Sequence, residues 1–206
     1  MFELNVIYSF IAAFMVNLFI SVAAMGVGFP LGFLLFKALT TRISSLKYIA
    51  QGFRSLIGNI PSFVMLYYFT IVIPMSGSIW GIAYTLPPIF NAVLALSLPV
   101  ISYSCDLSLQ KRREGKNVSF RALNQFFLVI LMASTTASAI EVTEVLATAN
   151  AYIASTGDST VMLKVYAVVA AIFMLTGLLF STLALFVERR FGHSKSAMTP
   201  FQGVHI

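Results

Sequence analysis

Ser134, Thr135, Thr136 and Ser138 crowd into one short stretch, and two carboxylates, Glu141 and Glu144, follow at once. Hydroxyls both donate and accept hydrogen bonds, and a carboxylate can receive an α-amino group or another cation. The spacing of three places Glu141 and Glu144 on one face of a helix. In an apolar segment such groups are costly and often functional, so the set reads as the lining of a pathway for a polar solute. The same residues also fit a second reading, hydroxyls that join packed helices with two carboxylates at the membrane interface. Asn59 joins the candidate pathway, although with Pro61 it also fits a plain helix-start turn. Lys111, Arg112, Arg113 and Glu114 form a charged island suited to contact with a cytoplasmic partner or with lipid phosphates, and Asp106 is expected to pair with Lys111 or Arg113. Nothing points to an enzyme. There is no Ser–His–Asp set, no His/Glu metal spacing and no phosphate-binding loop, and His193 and His205 fall in a polar tail. Cys105 is the single cysteine, which excludes an internal disulfide and a cysteine metal cluster.

The segments that must position these residues are mostly hydrocarbon. Of 206 residues, 59% are hydrophobic and 10% charged, with a mean hydropathy of +0.91; soluble domains carry about 25% charged residues. The chain reads as an all-α integral membrane protein. Five apolar stretches are long enough to span: Val6 to Leu39, Leu56 to Pro74, Pro87 to Leu107, Phe120 to Leu146, and Val161 to Val187. Each is expected to be helical, because a spanning segment must satisfy its own backbone in lipid. Pro30 offers the first a place to bend, and Pro87 and Pro88 suit a helix start. Of 13 basic residues, all but Lys164 fall near the connections after the first, third and fifth stretches. The positive-inside rule makes that side cytoplasmic, with the N-terminus outside, the C-terminus inside, and Trp80 and Tyr84 in an outer connection. The net charge of +6 therefore follows membrane topology, and no nucleic-acid partner is expected. Residues 1–191 form the transmembrane unit; 192–206 read as a disordered cytoplasmic tail. Gly26, Gly28 and Gly32 follow no strand, so they are no dinucleotide fingerprint; close helix packing, including packing against a second subunit, accounts for them better.

Several segments in order resemble the permease subunits of polar amino acid ATP-binding-cassette importers, of the histidine, glutamine and arginine type. NLFISVAAMGVGFPLGFLLF (Asn17 to Phe36) is similar to that family's first core helix. YIAQGFRSLIGNIPSFVMLYYF (Tyr48 to Phe69) resembles its Tyr-Ile…Phe-Arg…Pro…Tyr-Phe stretch, with Arg54 and Pro61 further apart than usual. ASTTASAIEVTEVLATANAYIAST (Ala133 to Thr156) is similar to its Asp-Thr-Ser-Leu segment with the aspartate replaced, and FVERRFGHS to its Glu-Arg-Arg ending. The resemblance implies a five-helix permease core in a bacterial inner membrane. It implies a second permease subunit, with a heterodimer favoured, ATP-binding subunits, and a possible periplasmic substrate-binding protein, alongside contact with membrane lipid. No cofactor is implied for this chain; ATP and Mg would be held by the partner ATPase. The family's Glu-Ala-Ala coupling loop, which docks on that ATPase, is missing. SLQKRREGKNVSFR stands in its place, with room for about two helical turns. A non-transporting, scaffolding or regulatory subunit is therefore the alternative.

Overall fold

The computed structural model describes residues 4–79, 82–115 and 119–191; the expected tail, 192–206, and Trp80 lie outside them. Helix α1 (Leu4–Leu39) has 36 residues and runs unbroken through Pro30. At ~1.5 Å per residue it exceeds the ~30 Å of hydrocarbon.

The connection after α1 is a helix where the sequence suggested a loop. In α2 (Ser44–Asn59), Leu46, Ala50, Phe53 and Ile57 recur at helical spacing, and Lys47, Gln51 and Arg54 occupy another face. Ala50 and Ile57 are buried. The apolar stretch from Leu56 to Pro74 is divided between this helix and the next. Pro61 drives the residue before it away from helical geometry, and Ile60 is extended, with φ −84° and ψ 128°. Helix α3 (Ser62–Val72) then departs at 109° to α2. Asn59 thus ends α2, and Pro61 precedes α3; the pair does not open one straight helix.

A β-hairpin follows, an exception to the all-α expectation. Strands β1 (Ser76–Ile79) and β2 (Ile82–Thr85) pair antiparallel, with Gly77 opposite Tyr84. Helix α4 (Pro88–Glu114) starts with Pro88 in its first turn and ends at Gly115, whose φ of 67° is left-handed. Lys111, Arg112 and Arg113 therefore belong to the last turn of α4, where cations complement the helix dipole, and not to a loop.

The fourth stretch also breaks. Helix α5 (Phe120–Ala133) passes into a 3-10 helix, Ser134–Ile140, which stops at Glu141; a separate α6 (Val145–Thr156) then begins. Seven residues is long for a 3-10 helix, a form that rarely exceeds three or four residues. Asp158 accepts hydrogen bonds from the Thr160 amide and hydroxyl, both at 2.8 Å, just before α7 (Ser159–Phe191). Those bonds, the amide's first, hold its carboxyl below the usual range. A depressed carboxyl stabilises the fold above its unfolded pKa, so this helix start is intact at neutral pH and loosens only as acid reaches the folded pKa.

Four helices among the described residues are long and apolar enough to cross a membrane, and the bent α2–α3 pair makes up to five. The direction of α1 against α4 shows how that pair is used. Gly28 meets Ser97 and Val100, and Gly32 meets Ile101 and Ser104, so residue numbers rise together and the helices are parallel. The chain leaves α1 at one end of the bundle and must enter α4 at the other, with only α2, α3 and the hairpin between. Phe127 packs on Phe180 at 5.2 Å, while Ser119 and Arg121 meet Glu188, so α5 and α7 are antiparallel. The basic ends of α1, α4 and α7 and the start of α5 share one end of the bundle. Reporters fused after Asn117 and near Ser78 are expected to read opposite sides, cytoplasmic and periplasmic respectively; the reverse result would overturn that orientation.

Candidate functional site

Two polar centres lie between the helices. The first is buried at the break after α5. Asn17, Ser21, Ser134 and Glu144 are each 0% exposed. Glu144 caps α6, accepting from the Leu146 amide at 3.0 Å and the Ala147 amide at 2.8 Å. Such a side-chain acceptor satisfies amides that a helix start leaves open. Asn17 of α1 donates from Nδ2 to Glu144 Oε2 and to Ser134 Oγ, both at 2.9 Å, and its Oδ1 accepts the Val145 amide at 3.0 Å. Ser134 donates to the Leu131 carbonyl at 2.7 Å, and Ser21 to the Asn17 carbonyl at 2.7 Å. Every polar atom of the Asn17 amide is used, so this centre ties α1 to the broken helix.

The second centre is a polar cleft of about 360 Å³ between α2 and α4, lined by Gln51, Arg54, Ser55, Asn59, Ser102 and Asp106. Arg54 binds Asp106 at 2.6 Å in an ion pair. Asp106 thus takes its partner from α2, where the sequence suggested Lys111 or Arg113 of its own helix. Both side chains are partly exposed, 39% and 47%, so the pair is worth only ~0.2–1 kcal/mol. Replacing Asp106 by Asn is expected to lower stability by no more than about 1 kcal/mol, checked by the thermal midpoint in detergent.

The structure separates the residues proposed as one pathway. Asn59 stands at the second centre and donates to the Ser55 carbonyl at 2.6 Å. Ser134 belongs to the first. Thr135, Thr136 and Ser138 each turn back to the carbonyl three residues earlier, at 2.8, 2.7 and 2.9 Å. Such local bonds compete with regular α-helical bonding, and here they accompany the 3-10 winding of the segment. Glu141 and Glu144 share no helix face. Glu141 is exposed with a φ of 66°, and Glu144 is turned inward as the α6 cap. Sequence reasoning missed Asn17, although a lone amide inside a long apolar helix is a signal of buried pairing. It also missed the role of Glu188. That carboxylate accepts from Ser119 Oγ at 2.6 Å and the Arg121 amide at 2.9 Å, so α7 caps the start of α5.

The three glycines differ. A Cβ on Gly28 would lie 2.4 Å from Val100 Cβ, and one on Gly32 2.5 Å from the Ile101 carbonyl, whereas Gly26 has nothing within 4 Å. Gly28 and Gly32 are consumed by the α1–α4 seam inside this chain and offer no free face to a second subunit. Gly26 takes no part in that seam.

This arrangement of helices has a counterpart among solved structures. A chain from a crystal structure of an amino acid ABC transporter with histidines superposes with a TM-score of 0.71, at 20% identity, over 89% of this chain and 94% of that one. The chain shares the fold of that transporter chain. No family model matches it, and no curated protein matches it in sequence. With that fold and its apolar helices, it is a multi-pass membrane protein. The breaks at Ile60–Pro61 and after Ala133, and both polar centres, are set within that fold.

Proposed function

We propose that the chain is a membrane-spanning, permease-like subunit of an ABC importer for a polar amino acid or similar small solute. The observation that carries this reading is the fold likeness, which extends over nearly the whole of both chains. The subunit would sit in a bacterial inner membrane with its basic end in the cytoplasm, paired with a second permease, preferably a different one. Cytoplasmic ATPases holding ATP and Mg, and a periplasmic binding protein, would complete the complex. The cleft at Asn59, Arg54 and Asp106 and the hydroxyls after α5 are the chain's contributions to a solute path. The test is purification of the intact complex from native membranes. Co-purifying ATPase and permease chains, with ATP hydrolysis stimulated by one polar amino acid, support import. A chain that purifies alone in both mild detergent and lipid discs counts against it.

One observation favours a non-transporting, scaffolding subunit as the second reading. Helix α4 ends at Glu114 and α5 starts at Phe120, which leaves no room between them for a docking helix. An ATPase meeting this chain there would do so by exposed charge, screened beyond ~8 Å at physiological salt. Changing Lys111, Arg112 and Arg113 together to Gln is then expected to weaken partner capture modestly, by ~0.2–1 kcal/mol per lost pair, without abolishing assembly. A pull-down across a salt series measures this. Complete loss of the complex at low salt, with topology intact, would identify the island as a docking element.

A further inference from the structure

The basic end of the bundle carries a groove whose apolar interior neither reading uses. It lies beside the α1–α4 seam, encloses about 520 Å³, and is walled by Phe29, Phe33 and Phe36 of α1 with Leu107 of α4 and Leu123 of α5. Lys111 and Arg112 complete its lining, and both are exposed. A third cation stands beside it, with Lys37 Nζ 4.8 Å from the centre of the Phe33 ring. The hydroxyls in the groove are already committed. Ser104 donates to the Phe29 carbonyl at 3.0 Å, and Ser108 to the Ser104 carbonyl at 2.9 Å. The interior therefore offers a ligand hydrocarbon contact and little else, while its rim offers positive charge. A small polar solute would lose its hydration there without replacement.

We infer that this groove is a binding site for a phospholipid with an anionic headgroup. Its phosphate would lie between Lys111 and Arg112, and an acyl chain would lie along the three phenylalanines. Arg and Lys are the residues that hold phosphate through charge-assisted hydrogen bonds, and basic pockets between membrane helices on the cytoplasmic side recognise anionic lipid. The place fits as well as the chemistry. The cations sit on the last turns of α1 and α4, where the helices leave the hydrocarbon, and Phe33 is 47% exposed on the flank from which a lipid would enter. The Arg54–Asp106 cleft is a poorer anion site, because its cation already has a carboxylate at 2.6 Å. The inference does not depend on transport; it holds for an importer subunit and for a scaffold alike.

The experiment uses the full chain, with whatever partners co-purify, in a neutral detergent. Phosphatidylglycerol and phosphatidylcholine with identical acyl chains are titrated separately. Bound lipid is counted by native mass spectrometry, and the thermal midpoint is followed. Expected are saturable binding of phosphatidylglycerol and a raised midpoint, with at least tenfold weaker binding of phosphatidylcholine. The K111Q/R112Q variant is expected to lose most of that preference, and R189Q/R190Q, which removes equal charge at the same end but outside the groove, to keep it. Equal binding of the two lipids by the native chain would overturn the proposal without recourse to any variant. So would equal loss in both variants, which would mean diffuse surface charge. If inorganic phosphate alone raised the midpoint as much as the lipid does, the groove would be an anion site and the lipid assignment would fail.

Discussion

Gly32→Val is expected to prevent the bundle from assembling, whereas Gly26→Ala passes without loss. At Gly32 the new Cβ would lie 2.5 Å from the Ile101 carbonyl oxygen and 2.6 Å from Ser104 Cβ. The carbonyl is backbone, so no rotamer change relieves the clash and no second substitution trims it; α1 and α4 must separate. Along that seam they bury Ile20, Ala24, Leu96 and Val100, and a separation forfeits contacts far beyond one residue. Overpacking costs about 1–3 kcal/mol where neighbours can yield, and more is expected where they cannot, against a total stability of about 5–15 kcal/mol. Gly26 has nothing within 4 Å, and replacing a mid-helix glycine by alanine gains about 0.5–1 kcal/mol. Size-exclusion profiles and thermal midpoints in detergent measure both. An unchanged profile for Gly32→Val would show that the helices do not approach as described.

The second large effect is expected at Glu144. Glu144→Ala strips the Leu146 and Ala147 amides and the Asn17 amide of their shared acceptor, in a place with no exposure. Each buried donor left unpaired costs about 1–3 kcal/mol; the Asn17 bond is buried and the two amide bonds partly so, so the loss is a large fraction of the whole stability. Two milder variants separate the roles. Glu144→Asp keeps a carboxylate at the helix start but is too short to reach Asn17. Glu144→Gln keeps the reach but turns an amide donor toward other donors. The expected order of thermal midpoints is native, then Asp and Gln, then Ala. Asn17→Leu combined with Glu144→Ala should cost less than the sum of the single changes, because the two act through one network. Full additivity, or an Ala variant as stable as the native chain, would mean the network contributes little.

These centres also show what could be read in advance. The long helices were legible because hydrocarbon thickness dictates their length, and the Pro87–Pro88 start because proline tolerates a first turn. The basic residues gave the shared end of α1, α4 and α7 before any contact was known. The breaks were not legible from hydropathy. Joined to α5, Ser134 to Ile140 remains apolar enough to pass as one continuous span, and its 3-10 winding is accompanied by hydroxyls bonding back to carbonyls. Glu144 looked interfacial because its chain neighbours are mixed in character. Its burial depends on Asn17, 127 residues away, which no local pattern reveals. The amphipathic spacing of Leu46, Ala50, Phe53 and Ile57 was present but obscured by the cations interleaved with it. Arg54 and Asp106, 52 residues apart, could be matched only once α2 lay against α4.

The cap that Glu188 places on α5 ties the corner beside the basic island to the order of synthesis. Ser119 and Glu188 are 69 residues apart, and a chain is made and folds from its N-terminus onward. When α5 first enters the membrane, its opening amides face water and headgroups. They gain their carboxylate only after α6 has formed and α7 has crossed back. A product truncated before α7 would leave this corner open at the basic end of the bundle, together with the faces of α5 and α6 that Phe180 and Tyr166 meet. Arrival of α7 is thus recorded at this exposed corner as well as in the buried contacts of Val165 and Val169.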